Sequence, residues 1–304
     1  MTELIQCSEA EYFAIPGRFH VSSTAKLLAS PALYAAAEYE QSDSKDLGSY
    51  IHGLRCGDTS RFNQGPDLSQ CKTDKGVPTT SKNATSVQKA IAEWELANPN
   101  AILLTAELLS KGPKCAAALE AVEVAEGLEV LRREACILWD DPQGRPCIMR
   151  ADAIAICNGV LVCLDYKSHG KPLSANGLSD AAATYCYPSQ AAHYLDGIAA
   201  AQKAGLLPDM PAEFRIAWVS TAAPFDAWIQ DVDGEALTIG AADLEIAKSR
   251  WWAGMQSGIW PTAGALGLLP RKMTLPRWKR PGTAEFSENF NFTEALSALE
   301  ALGV

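Results

Sequence analysis

Two aspartates and a lysine have the types and the spacing that metal-assisted hydrolysis needs. Asp152 lies in one β-like run, and Asp165 and Lys167 lie in the next. The two runs are joined by Asn158-Gly159, the strongest short signal for a hairpin with a two-residue type I′ turn. A turn of this length fixes the register of the strands, and in that register Asp152 faces Asp165 directly.

The same register sorts the neighbouring side chains onto two faces. Arg150 and Lys167 fall on the face of the two aspartates, because side chains alternate along a strand. The opposite face is apolar and is expected to pack under helices; it consists of Ala151, Ala153, Ala155, Val162 and Leu164. Opposed like charges destabilise a strand pair. A shared Mg²⁺ or Mn²⁺ would explain the carboxylates; alternatively, Arg150 and Lys167 simply neutralise them as a surface charge cluster.

The residue types narrow the chemistry to phosphodiester hydrolysis if a metal is bound. That reaction needs a cation to polarise a phosphoryl oxygen and to lower the pKa of the attacking water. It also benefits from a positive side chain beside the developing negative charge. Asp152, Asp165 and Lys167 supply these parts within one hairpin.

The surrounding pattern predicts helices, then a strand meander, then helix and strands again. Helices are predicted at 86–97, 105–127, 178–204 and 239–256, with short helical patterns after Val21 and from Ser30-Pro31. Strands are predicted at 134–139, 147–157, 160–167, 214–220 and 225–231. This order is typical of a mixed α/β fold, with a central mixed sheet and flanking helices.

Composition indicates an ordinary globular chain. Of 304 residues, 48% are hydrophobic and 20% are charged, and no apolar run is long enough to predict a membrane span. The N-terminus lacks a secretion signal, and nine scattered cysteines without a C-x-x-C pair argue against a disulfide framework. We therefore expect a cytoplasmic protein. The net charge of −10 does not exclude a nucleic-acid partner, because DNA responds to local potential.

A single domain is predicted over residues 1–304. Within it, residues 57–86 are rich in Gly, Pro, Ser, Thr, Asn and Asp and indicate a flexible loop insertion. Residues 261–304 form a Pro-punctuated tail that contains a basic segment from Arg271 to Arg280. Most tryptophans are expected in the core, whereas Trp278 lies between Arg277 and Lys279 and could stack on a base.

The chain resembles the nuclease domain of the exodeoxyribonuclease VIII (RecE) family, within the PD-(D/E)xK nuclease superfamily. The matching pieces occur in one order over much of the chain: LLASPALY, LGSYIH, WDDPQG, RAD at Arg150 to Asp152, LDYK at Leu164 to Lys167, YPSQAAHY at Tyr187 to Tyr194, WP at Trp260 and LPRW ending at Trp278. One departure is Ala151, where the family usually has Pro before the first aspartate. The resemblance implies a restriction-endonuclease-like core.

The resemblance also implies roles for individual residues. Mg²⁺, replaceable by Mn²⁺, would be bound by His52, Asp152, Asp165 and the carbonyl of Tyr166. Lys167 would orient the water and stabilise the transition state. Glu134 would hold a second ion or a metal-bound water, and Gln190 and Tyr194, four residues apart on a helix, would reach DNA. The implied DNA-binding set is Arg150, Gln190, Tyr194, Arg277, Trp278 and Lys279. No iron–sulfur cluster is expected, because no cysteine follows Cys186.

Taken alone, several of these residues have simpler explanations. A lone His52 is more often structural than a metal ligand. Glu134 could be a strand-edge acid paired with Arg132 or Arg133. Gln190 and Tyr194 could be a packed, hydrogen-bonded helix face.

By resemblance, we expect an exonuclease that degrades one strand of linear duplex DNA from its 5′ end and leaves a 3′ single strand for recombination. The implied partners are double-stranded DNA ends, a single-strand annealing protein and further copies of the chain in a ring of three or four. A nuclease of other polarity or an endonuclease is the first alternative. A DNA-end-binding scaffold that does not cleave is the second, and the intact Asp152, Asp165 and Lys167 argue against it.

Overall fold

A computed structural model describes residues 2–37, 42–81, 83–99 and 101–269. Within them, nine strands form. Their bounds are β1 Glu3–Gln6, β2 Phe19–His20, β3 Phe62–Gln64, β4 Ile102–Leu104, β5 Glu129–Asp140, β6 Pro146–Cys157, β7 Val160–His169, β8 Ala212–Ser220 and β9 Ala227–Asp231.

Nine α-helices occur in the same residues, together with a short 3₁₀ turn at Val21–Ser23. Their bounds are α1 Glu9–Ala14, α2 Thr24–Ala29, α3 Pro31–Ala35, α4 Asp43–Cys56, α5 Thr85–Ala97, α6 Ala106–Ala125, α7 Ala175–Thr184, α8 Tyr187–Lys203 and α9 Gly234–Ser257. Side chains of Ser8, Ser42, Thr105, Ser174 and Asp233 cap the first turns of five of them.

The central sheet has the strand order β1-β5-β6-β7-β8-β9, with β2 added beside β6. Most neighbours are antiparallel, whereas β7–β8 and β2–β6 are parallel. The β7–β8 crossover runs through α7 and α8 and covers one face of the sheet. The predicted mixed α/β class, with a central mixed sheet and flanking helices, is confirmed.

The hairpin formed by β6 and β7 has the predicted register. Cys157 pairs with Val160, and pairing continues to Ala153 opposite Leu164. The turn residues Asn158 and Gly159 have φ of 50° and 78°, as a type I′ turn requires. The regular pairing stops one step short of Asp152, so the two strands separate where the aspartates begin.

The predicted alternation of faces is wrong at this point. Ala151 packs in the core beneath α8 and α9, whereas Ala153 packs in the separate core beneath α4 and α6. Two residues apart on a regular strand, they would share a face. The strand pair β5–β6 skips Glu134 and Asp152 in its ladder, and Glu134 has a positive φ of 56°. The side-chain alternation therefore resets at the candidate site.

Helices cover both faces of the sheet. On one face, α8 and α9 bury the larger core, which includes Trp139, Trp218 and Trp251. On the other face, α4 and α6 bury a smaller core. The helices α8 and α9 cross closely at Gly240, where a Cβ atom would lie 2.2 Å from the backbone of Pro188. A larger residue there would push the helix that carries part of the candidate site.

Several boundaries differ from the sequence-based ones. The helix predicted at 178–204 is two helices, α7 and α8, because the chain turns at Cys186, whose φ is 56°. In the predicted insertion at 57–86, β3 pairs in parallel with β4, and Lys72 bridges to Pro78. Trp218 and Trp251 are buried, whereas Trp228 is exposed.

The chain divides into two compact units, Met1–Thr262 and Ala263–Val304. All the strands and helices named above belong to the first unit. The predicted DNA-binding residues Arg277, Trp278 and Lys279 lie outside the described residues. Among the described helices, none combines the length and the apolar character needed to span a bilayer.

Candidate active site

A cleft of about 440 Å³ opens where β6 and β7 separate. Eight of the predicted site residues line it: His52, Arg150, Asp152, Asp165, Tyr166, Lys167, Gln190 and Tyr194. They come from four elements, α4, β6, β7 and α8. The aromatic rings of Tyr12, Phe13, Tyr185 and Tyr187 form other parts of the wall.

Asp152 is held from two sides. Its Oδ2 accepts a hydrogen bond of 2.6 Å from the backbone N–H of Tyr166, so the side chain takes the place of a ladder partner where the strands part. Its Oδ1 lies 2.6 Å from Nε2 of His52. Burial alone would raise the pKa of Asp152, but His52, Lys167 and the Tyr166 N–H together outweigh burial, and the pKa falls below its ordinary value. Asp152 is therefore a fixed carboxylate.

Asp165 is almost fully buried, with 3% of its surface exposed. Gln190 Nε2 donates to its Oδ1 at 2.6 Å, and Lys167 Nζ lies 2.6 Å from its Oδ2. Burial raises the pKa of Asp165 to about 6, and the nearby Asp152 charge adds to that rise against the opposing effect of Lys167. The two carboxylates thus share one cleft and repel each other, which a cation between them would relieve.

Lys167 is a cation in this setting. Burial would lower the pKa of Lys167, but the nearby Asp165, Tyr187 and Asp152 together outweigh burial and raise that pKa. Its ammonium also lies over the ring of Tyr187, 4.9 Å from the centroid. A protonated lysine stabilises negative charge and does not act as a base.

His52 lies near the C-terminal end of α4 and contacts two acidic residues. Its Nε2 lies 2.6 Å from Asp152 Oδ1 and 3.0 Å from Glu134 Oε1. Burial would lower the pKa of His52, yet the Asp152 carboxylate raises it to about 10. The imidazolium therefore places one positive charge between the two carboxylates, and Arg150 supplies a second charge beside Glu134.

Glu134 lies behind His52 and forms an ion pair with Arg150. It does not pair with Arg132 or Arg133 in the way that a strand-edge acid would; instead, Arg133 contacts Glu123 and Tyr166. Glu134 is a non-glycine residue with a positive φ, a conformation that costs free energy and clusters at functional sites. The side chain borders a smaller pocket beside the cleft.

Gln190 and Tyr194 lie on one face of α8, as their spacing predicts. Gln190 touches Asp165 directly, and the hydroxyl of Tyr194 donates to the carbonyl of Arg150 at 3.0 Å. Gln190 is half-buried at the cleft wall, whereas Tyr194 is buried and fixes the strand. Both residues border the cleft, and Gln190 exposes the larger fraction of its surface there.

Sequence reasoning missed a buried network beneath the cleft. Glu123 of α6, 4% exposed, accepts from Arg55 at 2.7 Å and from Arg133 at 2.9 Å. The hydroxyl of Tyr166 donates to the same carboxylate at 2.7 Å. This network ties α4, α6, β5 and β7 together and fixes Tyr166, whose N–H holds Asp152. Glu123 carries no motif and is separated from its partners along the chain, so no sequence signal identifies it.

Cys56 is the second residue that sequence reasoning missed. It follows His52 by four residues on α4, and its Sγ lies 3.8 Å from His52 Nε2. Donor atoms of His52, Cys56 and Glu134 all lie within 4.8 Å of one another. The spacing of His52 and Cys56 was a usable signal, since residues four apart share a helix face.

The carboxylates of the cleft fit a hard divalent cation. Oδ2 of Asp165 and both oxygens of Glu134 are buried, and among the described residues they meet the cationic groups of Lys167, His52 and Arg150 in ion pairs without hydrogen bonds of normal geometry. These ion pairs place positive charge where a divalent cation would bind the same oxygen atoms. Carboxylate oxygens are also the ligands that Mg²⁺ and Mn²⁺ prefer.

No protein-family model matches this sequence, and no curated protein matches it either. A solved structure does match in three dimensions: the "Putative exonuclease" from Eubacterium rectale. The TM-score is 0.54 at 14% sequence identity, and the match covers 90% of this chain and 97% of that one. The two proteins therefore share a fold across nearly their whole lengths.

Proposed function

We propose that this protein is a divalent-metal-dependent DNA nuclease, and specifically an exonuclease. The observation that carries the proposal is the convergence of Asp152, Asp165 and Lys167 in one cleft, at the point where their strands separate. The fold shared with the Eubacterium rectale protein adds support. Resemblance to the exodeoxyribonuclease VIII family supports the finer assignment: attack from a 5′ end, leaving a 3′ single strand.

Asp152, Asp165 and the carbonyl of Tyr166 would hold the metal, with His52 as a further ligand. When bound, the metal polarises the phosphoryl oxygen and lowers the pKa of the attacking water. Asp152 keeps its orientation through the Tyr166 N–H. Gln190 orients Asp165. The Lys167 ammonium stabilises negative charge that develops on the phosphate oxygens.

The cleft wall carries few positively charged side chains to attract a phosphodiester. A bound metal ion would add positive charge. Arg150 and Lys167 line the cleft beside Asp152 and Asp165. Because these two cations already offset the two carboxylates, a bound dication would make the cleft net positive and allow a phosphodiester to approach. Recruitment of duplex ends, of an annealing protein and of further copies of the chain into a ring is part of the proposal through the family resemblance alone.

The test is digestion of linear duplex DNA labelled at the 5′ or the 3′ end, beside closed circular duplex, with Mg²⁺ or with a chelator. We expect early release of the 5′ label as mononucleotide, intact circles and no reaction with the chelator. Early release of the 3′ label would contradict the polarity, and cleavage of circles would indicate an endonuclease. Unchanged linear DNA in Mg²⁺ and in Mn²⁺ would overturn the nuclease assignment, while retained end binding would favour a scaffold.

A further inference from the structure

His52 lies in the wall between two pockets. On one side is the cleft, lined by His52, Asp152 and Asp165. On the other side is a pocket of about 90 Å³, lined by His52, Cys56 and Glu134. Asp152 and Asp165 do not border the smaller pocket, and Cys56 and Glu134 do not border the cleft. The single imidazole therefore serves two different sets of donors.

The donors of the smaller pocket differ in kind from those of the cleft. They are a thiol, an imidazole and a carboxylate, where the cleft offers mainly oxygen atoms. Thiolate and imidazole ligands select borderline and soft cations such as Zn²⁺ and Co²⁺. Magnesium, by contrast, prefers oxygen ligands in octahedral geometry.

The distances suit tetrahedral coordination. His52 Nε2 lies 3.8 Å from Cys56 Sγ and 3.0 Å from Glu134 Oε1. Bonds of about 2.0–2.3 Å in a tetrahedron place neighbouring donor atoms roughly 3.3–3.7 Å apart. These two separations fall on either side of that range, and the donor atoms of Cys56 and Glu134 lie within 4.8 Å of each other, so side-chain movements bring all three donors to one ion.

The carboxylate is already oriented for such an ion. Arg150 pairs with Oε2 of Glu134, which leaves Oε1 directed at His52. A charged partner on the outer oxygen is how ligand carboxylates are commonly held. Neither Glu134 oxygen accepts a hydrogen bond of normal geometry from any described residue, and Glu134 is 8% exposed.

We propose that His52, Cys56 and Glu134 form a second metal site, distinct from the magnesium cleft, that binds Zn²⁺ or Co²⁺. One thiolate and one carboxylate neutralise the dication, and the fourth position is open to solvent. Binding displaces the proton of the Cys56 thiol, and any proton on His52 Nε2, to solvent.

Occupation of this site affects the cleft, a consequence that rests on the proposed nuclease function. The shared atom is His52 Nε2, which cannot bind an ion in the smaller pocket and contact Asp152 at the same time. Zinc therefore withdraws His52 from the cleft and inhibits magnesium-dependent hydrolysis. The site is thus an inhibitory site that selects zinc over magnesium.

The test is a Co²⁺ titration of the full chain followed by absorption spectroscopy. We expect the near-ultraviolet charge-transfer band of a cobalt–thiolate bond and the strong visible bands of tetrahedral cobalt. Excess Mg²⁺ should leave both in place. Cys56→Ser should remove the charge-transfer band, whereas Cys186→Ser, which changes a half-buried thiol of the main cleft, should keep it. A band that survives in Cys56→Ser, or none in the natural protein, would overturn the proposal.

A second measurement uses the natural protein and does not depend on a variant that folds. Zn²⁺ should protect Cys56 from iodoacetamide, as judged by mass spectrometry of its peptide, while the modification of Cys186 continues. Equal labelling of Cys56 with and without Zn²⁺ would contradict the site.

The inhibitory consequence has its own readout. If the protein degrades DNA, Cys56→Ser should require about ten times more Zn²⁺ for half-inhibition than the natural protein. Equal zinc sensitivity of Cys56→Ser and the natural protein would contradict inhibition through this site. If no DNA is degraded at all, the nuclease proposal fails, while the cobalt spectrum and the protection assay still decide the metal site.

Discussion

Two clusters of buried charge occupy β5 and β6, and they are built in opposite ways. At the turn joining the strands, Arg145 is 3% exposed, and its guanidinium donates to Asp141, Glu245, Ser249 and Gln143. Every nitrogen of that guanidinium donates a hydrogen bond. A cluster of this kind is complete in itself and fixes the turn against α9.

The cleft cluster, on β5, β6 and β7, is less completely hydrogen-bonded. Glu134 and Asp165 have buried oxygens that meet cationic side chains in ion pairs but accept no hydrogen bond of normal geometry from the described residues. Glu134 also has an unfavourable backbone conformation. The difference teaches that the Arg145 cluster stabilises the fold, whereas under our proposal the cleft carboxylates exchange cationic side chains for a metal ion.

The largest expected effect follows from Asp165→Asn. The amide keeps the shape and can still accept from Gln190, but it loses the charge that would hold the metal. We expect magnesium-dependent degradation to fall about 1000-fold, equivalent to about 4 kcal/mol. The melting temperature should change little at pH 7, because relief from burying a carboxylate opposes the lost pair with Lys167. Digestion rates measure the activity, and thermal unfolding measures the melting temperature. Full activity in this variant would contradict a metal-binding role for the cleft cluster.

Next comes Arg145→Ala, at the complete cluster. Removing one partner of a buried pair leaves Asp141 uncompensated, so the free energy of unfolding should fall by about 3 kcal/mol. That value lies at the low end of the usual range because the Glu245 side chain is 53% exposed. Activity per folded molecule should stay the same. Chemical denaturation and digestion rates provide the two measurements, and a stable but inactive variant would show that the two clusters are not separate.

A smaller effect is expected for Lys167→Met, which keeps the apolar stem and removes the charge. Turnover should fall about 100-fold, because a positive group at the developing charge is lost. Affinity for Mn²⁺, measured by calorimetry, should stay equal or rise, since an ammonium no longer competes for Asp165. Loss of metal binding in this variant would mean that Lys167 positions the ligands and does not serve the reaction.

The smallest expected effect is on the pH dependence of stability. Asp165 has a pKa of about 6 in the folded protein against an ordinary 3.8, so the folded state binds more protons between those values. The free energy of unfolding contributed by Asp165 therefore falls as pH rises from about 4 to 6, by about 1–3 kcal/mol. Asp165→Asn should lack this fall. Parallel denaturation series over that range measure it, and identical slopes would contradict the raised pKa.

Much of the fold was predictable because local sequence signals, such as turn residues, agree with the strand pairing of the whole sheet. Asn158-Gly159 specifies the turn, and the turn specifies the register of β6 and β7. The break between α7 and α8 was less visible, since it depends on a left-handed Cys186, a conformation that no residue preference predicts.

The candidate site was predictable only in part, for a physical reason. Asp152, Asp165 and Lys167 follow from strand alternation within one hairpin. Glu123 and Cys56 come from other elements and are brought close by tertiary packing. The reset of alternation at Glu134 and Asp152 likewise follows from the requirements of the site and not from local sequence preference.

The central claim is that the cleft binds a divalent cation between Asp152 and Asp165. Crystals soaked in Mn²⁺ test it most directly, because anomalous scattering locates the ion. The account predicts a peak about 2.1 Å from an oxygen of each carboxylate and from the carbonyl of Tyr166. A cleft without a peak, with Asp152 still on His52 and Asp165 still on Lys167, would contradict it.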